Sequence, residues 1–349
     1  MNNDEIYMQR CLQLAGLGTG FVAPNPLVGA VLIHEDCIIG EGYHKLYGEP
    51  HAEVNCIKAV REEDKHLITA ATLYVSLEPC VHHGKTPPCT DLIIAQQIKK
   101  TVIGCRDPFV KVDGKGIEKL MNAGIDVTVG ILENECKTIN KRFFTFHTKQ
   151  RPYIILKWAQ TTNSKIAISD ERLYITNEFT NRLVHKWRSG EAGILVGTNT
   201  ALLDNPELTN RLWCGKSPVR LVLDKDLRLP ISLKIFDQQH RTIIFNTIKH
   251  AEDGKVLYYR VNKDLSFVQQ ILNACFKENI QSILVEGGAQ LLQSFINEGM
   301  WDEARIITNK TLYTENGLAA PQLSAHRFYK SEAVFTDAID YYFNNKFSL

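Results

Sequence analysis

At 349 residues the chain is longer than a single hydrophobic core usually serves, so two domains are expected. A composition of 44% hydrophobic and 23% charged residues is that of an ordinary globular protein, and a formal net charge of +1 without a long Lys/Arg run argues against nucleic acid or anionic membrane as a general partner. No apolar run reaches the roughly 18 residues of a membrane span, and nine scattered cysteines, an odd number, read as reduced thiols of a cytoplasmic protein without an export signal.

The first half alternates helical and extended patterns, which predicts an α/β layer structure over residues 1–147. Residues 4–14 read as a helix, 28–33 and 38–42 as adjacent strands, and 52–60 as a helix beginning beside His51. A β-rich run at 72–77 ends at Glu78-Pro79-Cys80, and a helical stretch at 90–98 starts directly after Cys89. Runs at 101–105, 117–122, 127–130 and 133–147 continue the alternation. Arg151-Pro152 marks the joint, because the residue before a proline is pushed out of the helical region. The second domain, 151–349, starts with a strand at 153–159. Further short apolar runs follow at 194–197, 219–224, 242–245, 256–261, 283–286 and 305–308, with helices at 178–187, 267–277 and 289–297. Strands outnumber helices there, which predicts a mixed sheet.

His51-Ala52-Glu53, then Pro79-Cys80 and Cys89, supply three zinc ligands and one carboxylate free of the metal. One imidazole and two thiolates suit tetrahedral Zn²⁺, and three protein ligands leave the fourth position for water, as a catalytic site requires. Glu53 is placed to move the water proton to a leaving amine, the parts list of a zinc deaminase holding one zinc per chain. The segment 81–88 between the cysteines is longer than the two-residue spacer of common cytidine and adenosine deaminases. Its two histidines and Lys85 suit a phosphate or a sugar hydroxyl.

Pro24-Asn25-Pro26-Leu27-Val28-Gly29, Gly42-Tyr43-His44, His51-Ala52-Glu53-Val54 and the run from Glu78 through Cys89 closely resemble the deaminase half of the bifunctional riboflavin-biosynthesis family, RibD. The resemblance implies a cytidine-deaminase-like fold, deamination of a diaminopyrimidinone ribosyl-phosphate, zinc on His51, Cys80 and Cys89, and substrate contacts from Asn25, His44, His83 and Lys85. Asn25, between prolines, also reads as a turn residue.

In the second domain no G-x-G-x-x-G follows a predicted strand, so a Rossmann site is not supported. Lys157-Trp158-Ala159, His185 to Arg188, Gly197-Thr198-Asn199-Thr200, the run from Asp204 to Arg211, and Val285-Glu286-Gly287-Gly288-Ala289 resemble, in that order, the reductase half of the same family. This implies a dihydrofolate-reductase-like fold using NADPH, with Ala159, Tyr174, Thr200, Asp204 and Gly288 at the cofactor and Arg188, Leu208, Arg211 and Glu286 at the substrate. Taken alone, the arginines read equally as solvated side chains.

The chain departs from the family pattern at Thr161-Thr162-Asn163-Ser164, where Ser-Leu-Asp-Gly is usual, and at Arg172 and Tyr174. A second domain without catalysis is therefore the alternative to a bifunctional enzyme. A nucleic-acid-editing deaminase is disfavoured by the near-neutral charge and the lack of a basic stripe. The expected partner is a small phosphorylated pyrimidine, with no nucleic acid and no membrane, and the chain is expected to form a homo-oligomer.

Overall fold

A computed structural model describes residues 2–84, 87–168 and 173–346. Among these, one compact unit runs to Lys149 and a second begins at Gln150.

The first unit contains strands β1 (Gly29–His34), β2 (Cys37–Tyr43), β3 (Thr72–Leu77), β4 (Lys100–Cys105) and β5 (Asp126–Val129) in the order β2-β1-β3-β4-β5. β1 pairs antiparallel with β2 and β3, whereas β3, β4 and β5 are parallel. Among the described residues the unit's α-helices are α1 (Asn3–Gly16), α2 (Ala52–Lys58), α3 (Cys89–Ala95), α4 (Lys115–Asn122), α5 (Glu133–Ile139) and α6 (Lys141–Lys149). Side chains of β1 point alternately into two cores: Ala30 and Leu32 pack with Ala52, Cys56, Ile93 and Leu120, and Val31 and Ile33 pack with Met8, Cys11, Cys136 and Phe143. Burial on both faces explains why this strand reads as a continuous apolar run. At its start α1 is closed by a capping box, the Glu5 amide donating to Asn2 Oδ1 at 2.8 Å and the Asn2 amide to Glu5 Oε2 at 3.1 Å.

The second unit has a ten-stranded sheet built from β6 (Tyr153–Gln160), β8 (Gly193–Gly197), β9 (Val219–Leu223), β10 (Thr242–Asn246), β11 (Ala251–Asp253), β12 (Val256–Arg260), β13 (Ser282–Gly287), β14 (Glu303–Asn309), β16 (His326–Val334) and β17 (Asp337–Asn344). Two short strands, β7 (Lys165–Ala167) and β15 (Leu318–Ala319), pair separately. The strand order is β11-β12-β10-β9-β8-β13-β6-β14-β17-β16, parallel from β12 to β14 and antiparallel at both edges. Four helices cover it: α7 (Glu178–Gly190), α8 (Thr198–Asp204), α9 (Phe267–Lys277) and α10 (Ala289–Glu298). The start of β6 is pinned by a buried bidentate pair, Arg151 Nη1 and Nη2 donating to Asp302 at 2.7 and 2.6 Å.

Three expectations change. The helix expected over 133–147 is two helices broken at Asn140, whose side chain leaves the helical ladder to accept from the Leu27 amide and donate to the Leu27 carbonyl, both at 2.8 Å. Gly197-Thr198-Asn199-Thr200, for which no helix was expected, opens the short helix α8. The hairpin β16–β17 was not legible, because β16 is an exposed edge strand whose side chains lack the apolar alternation that marks a strand in sequence.

Candidate active sites

In the first unit the elements converge on three ligand atoms. His51 is the N-cap of α2, Cys80 follows the end of β3, and Cys89 opens α3. Gly42 lets β2 lie against α2, since a Cβ there would come within 2.2 Å of the Cys56 nitrogen and 2.5 Å of the Ala52 oxygen. The His51 Nδ1 is 3.6 Å from Cys80 Sγ and 3.4 Å from Cys89 Sγ, and all three atoms lie within 4.8 Å of one another. Zn–N and Zn–S bonds of usual length at a tetrahedral angle span about 3.5 Å from nitrogen to sulfur, so this donor set fits zinc.

The Cys89 amide donates to Cys80 Sγ at 3.4 Å, and Thr90 Oγ1 donates to the Cys80 carbonyl at 3.2 Å. The adjoining Cys89, outweighing burial and helped by His51, pulls the Cys80 thiol pKa well down. Glu53, in the first turn of α2, is only 3% exposed. Burial, and then the charge on Cys80, raise its pKa above the usual carboxylate range, which suits a group that must take up a proton and release it again.

Of the candidate substrate residues, His44 and Asn25 are brought together. The buried His44 donates from Nδ1 to the Pro50 carbonyl at 3.2 Å and accepts at Nε2 from Asn25 Nδ2 at 3.1 Å. Desolvation lowers the His44 pKa, which keeps this tautomer neutral, and its ring lies edge-on to His51 at 5.2 Å. His83 is exposed, and Lys85 lies outside the described residues.

In the second unit a cavity of about 1270 Å³ opens over the C-terminal ends of β6, β8, β9 and β13. Ala159, Tyr174, Thr200, Asp204, Gly288, Arg188, Leu208, Arg211 and Glu286 all line it. Its volume exceeds the roughly 300–1,000 Å³ of a usual single-ligand pocket, leaving room for a cofactor beside a substrate. Gly288, at φ +68, heads α10, and Gly287 lies so close to Thr200 that a Cβ would meet its Cγ2 at 3.0 Å. Backbone N–H groups can therefore approach a phosphate there. Tyr174 sits on the rim, 75% exposed.

Glu286 is the electrostatic centre. Arg188 donates to it from Nε at 2.8 Å and from Nη2 at 2.7 Å, and Lys157 Nζ stands 3.7 Å away. Burial would raise the Glu286 pKa, but Arg188 and Lys157 outweigh it and hold the carboxylate at about 2. The guanidinium fork of Arg188 is thus engaged by a carboxylate, while the half-exposed Arg211 pairs with Glu207 at 2.9 Å. Lys157 and His185, which belong to the motif runs but were assigned no role there, also line the cavity. His185 accepts the Arg211 amide at Nδ1 (2.9 Å), and burial together with Arg188 and Arg211 lowers its pKa to about 4.

Residues 1–105 match the family model of the cytidine and deoxycytidylate deaminase zinc-binding region, and residues 152–312 match the RibD C-terminal domain. The riboflavin biosynthesis protein RibD of Aquifex aeolicus is 42% identical over 305 residues, covering 86% of this chain and 85% of the relative. The chain belongs to the RibD family. The RibD of Escherichia coli is 35% identical with 86% of each chain covered. A crystal structure of the Thermotoga maritima diaminohydroxyphosphoribosylaminopyrimidine deaminase/5-amino-6-(5-phosphoribosylamino)uracil reductase superposes with a TM-score of 0.88 at 37% identity, covering 98% of this chain and 99% of the other. Acinetobacter baumannii RibD also gives 0.88, at 30% identity and 98% coverage of each. As a RibD-family member the chain is a bifunctional enzyme of riboflavin biosynthesis, deaminase and reductase in one polypeptide, with zinc and NADPH as its cofactors. The fold is accordingly cytidine-deaminase-like followed by dihydrofolate-reductase-like.

The departure from the RibD pattern at 163–164 has a local explanation. Asn163 Nδ2 donates to the Thr314 carbonyl at 2.8 Å, a bond that an aspartate cannot make, and its Oδ1 accepts from Thr161 Oγ1 at 2.7 Å. Ser164 does carry the left-handed backbone that favours glycine, with φ +57. We expect Ser164→Gly to stabilise the second unit by about 0.5–1 kcal/mol, read as a raised urea midpoint, with turnover little changed. Asn163→Asp should lower the midpoint by a similar amount. Of the other two departures, Tyr174 lies on the cavity rim and Arg172 lies outside the described residues.

Proposed function

We propose that the first unit deaminates diaminohydroxyphosphoribosylaminopyrimidine and the second reduces the resulting 5-amino-6-(5-phosphoribosylamino)uracil, the compounds for which the Thermotoga relative is named. The observation that carries the first assignment is the convergence of His51, Cys80 and Cys89 within 4.8 Å, with the buried Glu53 carboxyl against Cys89. Zinc held by these residues supplies the Lewis acidity that makes water a nucleophile near neutral pH. Glu53 takes the water proton and delivers it to the departing amine. Asn25, His44, His83 and Lys85 contact the substrate, with His44 also orienting Asn25 and Lys85 suited to the phosphate.

In the second unit NADPH supplies the hydride. Ala159, Tyr174, Thr200, Asp204 and Gly288 bind it, and Arg188, Leu208, Arg211 and Glu286 bind the substrate. The support is their convergence around one cavity, with Glu286 holding Arg188 and Lys157 in fixed directions. Arg211 is the better phosphate partner of the two arginines, because its exposed guanidinium can exchange Glu207 for a phosphate, whereas Arg188 would leave a buried carboxylate unpaired.

Among the described residues no helix is long and apolar enough to cross a membrane. A cytoplasmic homo-oligomer completes the proposal, supported by the unpaired edge of β16 with its exposed Phe328 and Tyr329, and tested by light scattering.

The deciding experiment supplies the purified chain with the diaminopyrimidinone ribotide, with and without NADPH. Deaminated product should accumulate without NADPH and ribityl product with it, in a protein carrying about one zinc per chain. Full deaminase activity in a metal-free preparation would refute the first assignment. Failure to oxidise NADPH with authentic deaminated intermediate would refute the second.

A further inference from the structure

We propose that Glu78 is a positioning residue of the deaminase site, acting on the reaction through Cys80. The inference rests on reading His51, Cys80 and Cys89 as the zinc ligands. Glu78 follows the last residue of β3, stands two positions before Cys80, and is 3% exposed. Each of its oxygens accepts two backbone N–H groups. Oε1 takes Gly116 at 2.8 Å and Ile117 at 3.2 Å, and Oε2 takes Gly114 at 3.0 Å and Asp107 at 3.1 Å. Its own amide donates to the Cys105 carbonyl at 2.9 Å. One carboxylate thus gathers the end of β4, the loop after it and the first turn of α4.

Pro79 and His82, on either side of Cys80, lie against that gathered segment. A Cβ on Gly116 would lie 2.3 Å from the Pro79 carbonyl oxygen, so the start of α4 abuts the residue before Cys80 without a gap. Phe109, whose amide is held by Asp107 Oδ1 at 2.8 Å, lies edge-on to His82 at 5.8 Å between ring centroids. Held from below on both sides of Cys80, the thiolate is kept at its distance from His51 and Cys89. A glutamate carboxyl presents two oxygens to these four donors; glutamine has the same size but turns an NH₂ toward two N–H donors.

The test uses the full-length enzyme, with its reductase as an internal control. Zinc in the wild-type chain is measured first, since its absence would remove the metal-site reading itself. Glu78→Gln should weaken zinc binding in chelator competition by about 10–100-fold, as for other residues that orient metal ligands. Deaminase kcat should fall with it, while KM and reduction of the authentic deaminated intermediate stay near wild type. The cobalt-substituted protein should show altered thiolate-to-metal charge-transfer and d–d bands. Gly116→Ala, whose Cβ would crowd the Pro79 carbonyl at 2.3 Å and press on Glu78 Oε1 at 3.0 Å while keeping the carboxylate, should reproduce these changes. Wild-type zinc affinity and cobalt spectrum in Glu78→Gln would overturn the proposal, as would loss of the first unit's cooperative unfolding transition in both variants, which would make Glu78 a folding residue only.

Discussion

Glu53→Gln is expected to lower deaminase turnover by about 10²–10⁴-fold while the protein keeps its zinc, because the change removes the proton carrier and leaves His51, Cys80 and Cys89 intact. Glutamine has the same shape and can still lie beside Cys89, so packing in the first turn of α2 should be preserved. Steady-state kinetics combined with elemental analysis of the same preparation checks this. Loss of zinc with loss of activity would show instead that Glu53 supports the ligand set. Reduction of authentic intermediate by the same molecules should be unaffected.

The second large effect is expected at Glu286. Removing it as Glu286→Ala leaves Arg188 and Lys157 facing each other as uncompensated cations, with side chains only 15% and 12% exposed. Breaking a buried pair from one side costs about 3–5 kcal/mol, so the second unit should unfold at distinctly lower urea and lose reductase activity together. The pH dependence has a definite sign. The Glu286 pKa falls from an ordinary 4.5 to about 2 on folding, so its stabilisation is complete above the unfolded value and is lost as pH drops from 4.5 toward 2. The stability difference between wild type and variant should therefore be full at neutral pH and shrink through that acid window. A difference that is constant across it would mean that Glu286 acts by shape alone.

Much of the polar chemistry could be read along the chain. His51, Glu53, Cys80 and Cys89 are residue types with one shared use, and each stands at a helix start or strand end that apolar periodicity locates independently. Many strands of the two large sheets announce themselves for a related reason: a strand buried on two faces reads as a near-continuous apolar run, as Ala30 to Ile33 of β1, Leu73 to Val75 of β3 and Ile283 to Val285 of β13 do. Where burial is one-sided or absent the signal fades, and β16 went unread.

Residue order and periodicity thus dictated two α/β units and an imidazole and two thiols for zinc, because ligand chemistry and two-sided burial leave marks that are local in the chain, whereas the reductase was legible only through its resemblance to a known family. Which partner each charge finds was decided only by the fold. Arg188 could be read as a solvated side chain or a phosphate ligand until the structure brought Glu286, 98 positions away, to 2.7 Å. Glu78 could be read as a mere neighbour of Cys80 until four amides from residues 107–117 closed on it. Asn163 and Ser164 looked like losses until Thr314 supplied an acceptor for one and the turn revealed the strain of the other. Hydrogen bonds and ion pairs act over about 3–4 Å, and in each of these cases that contact closes across a long sequence separation.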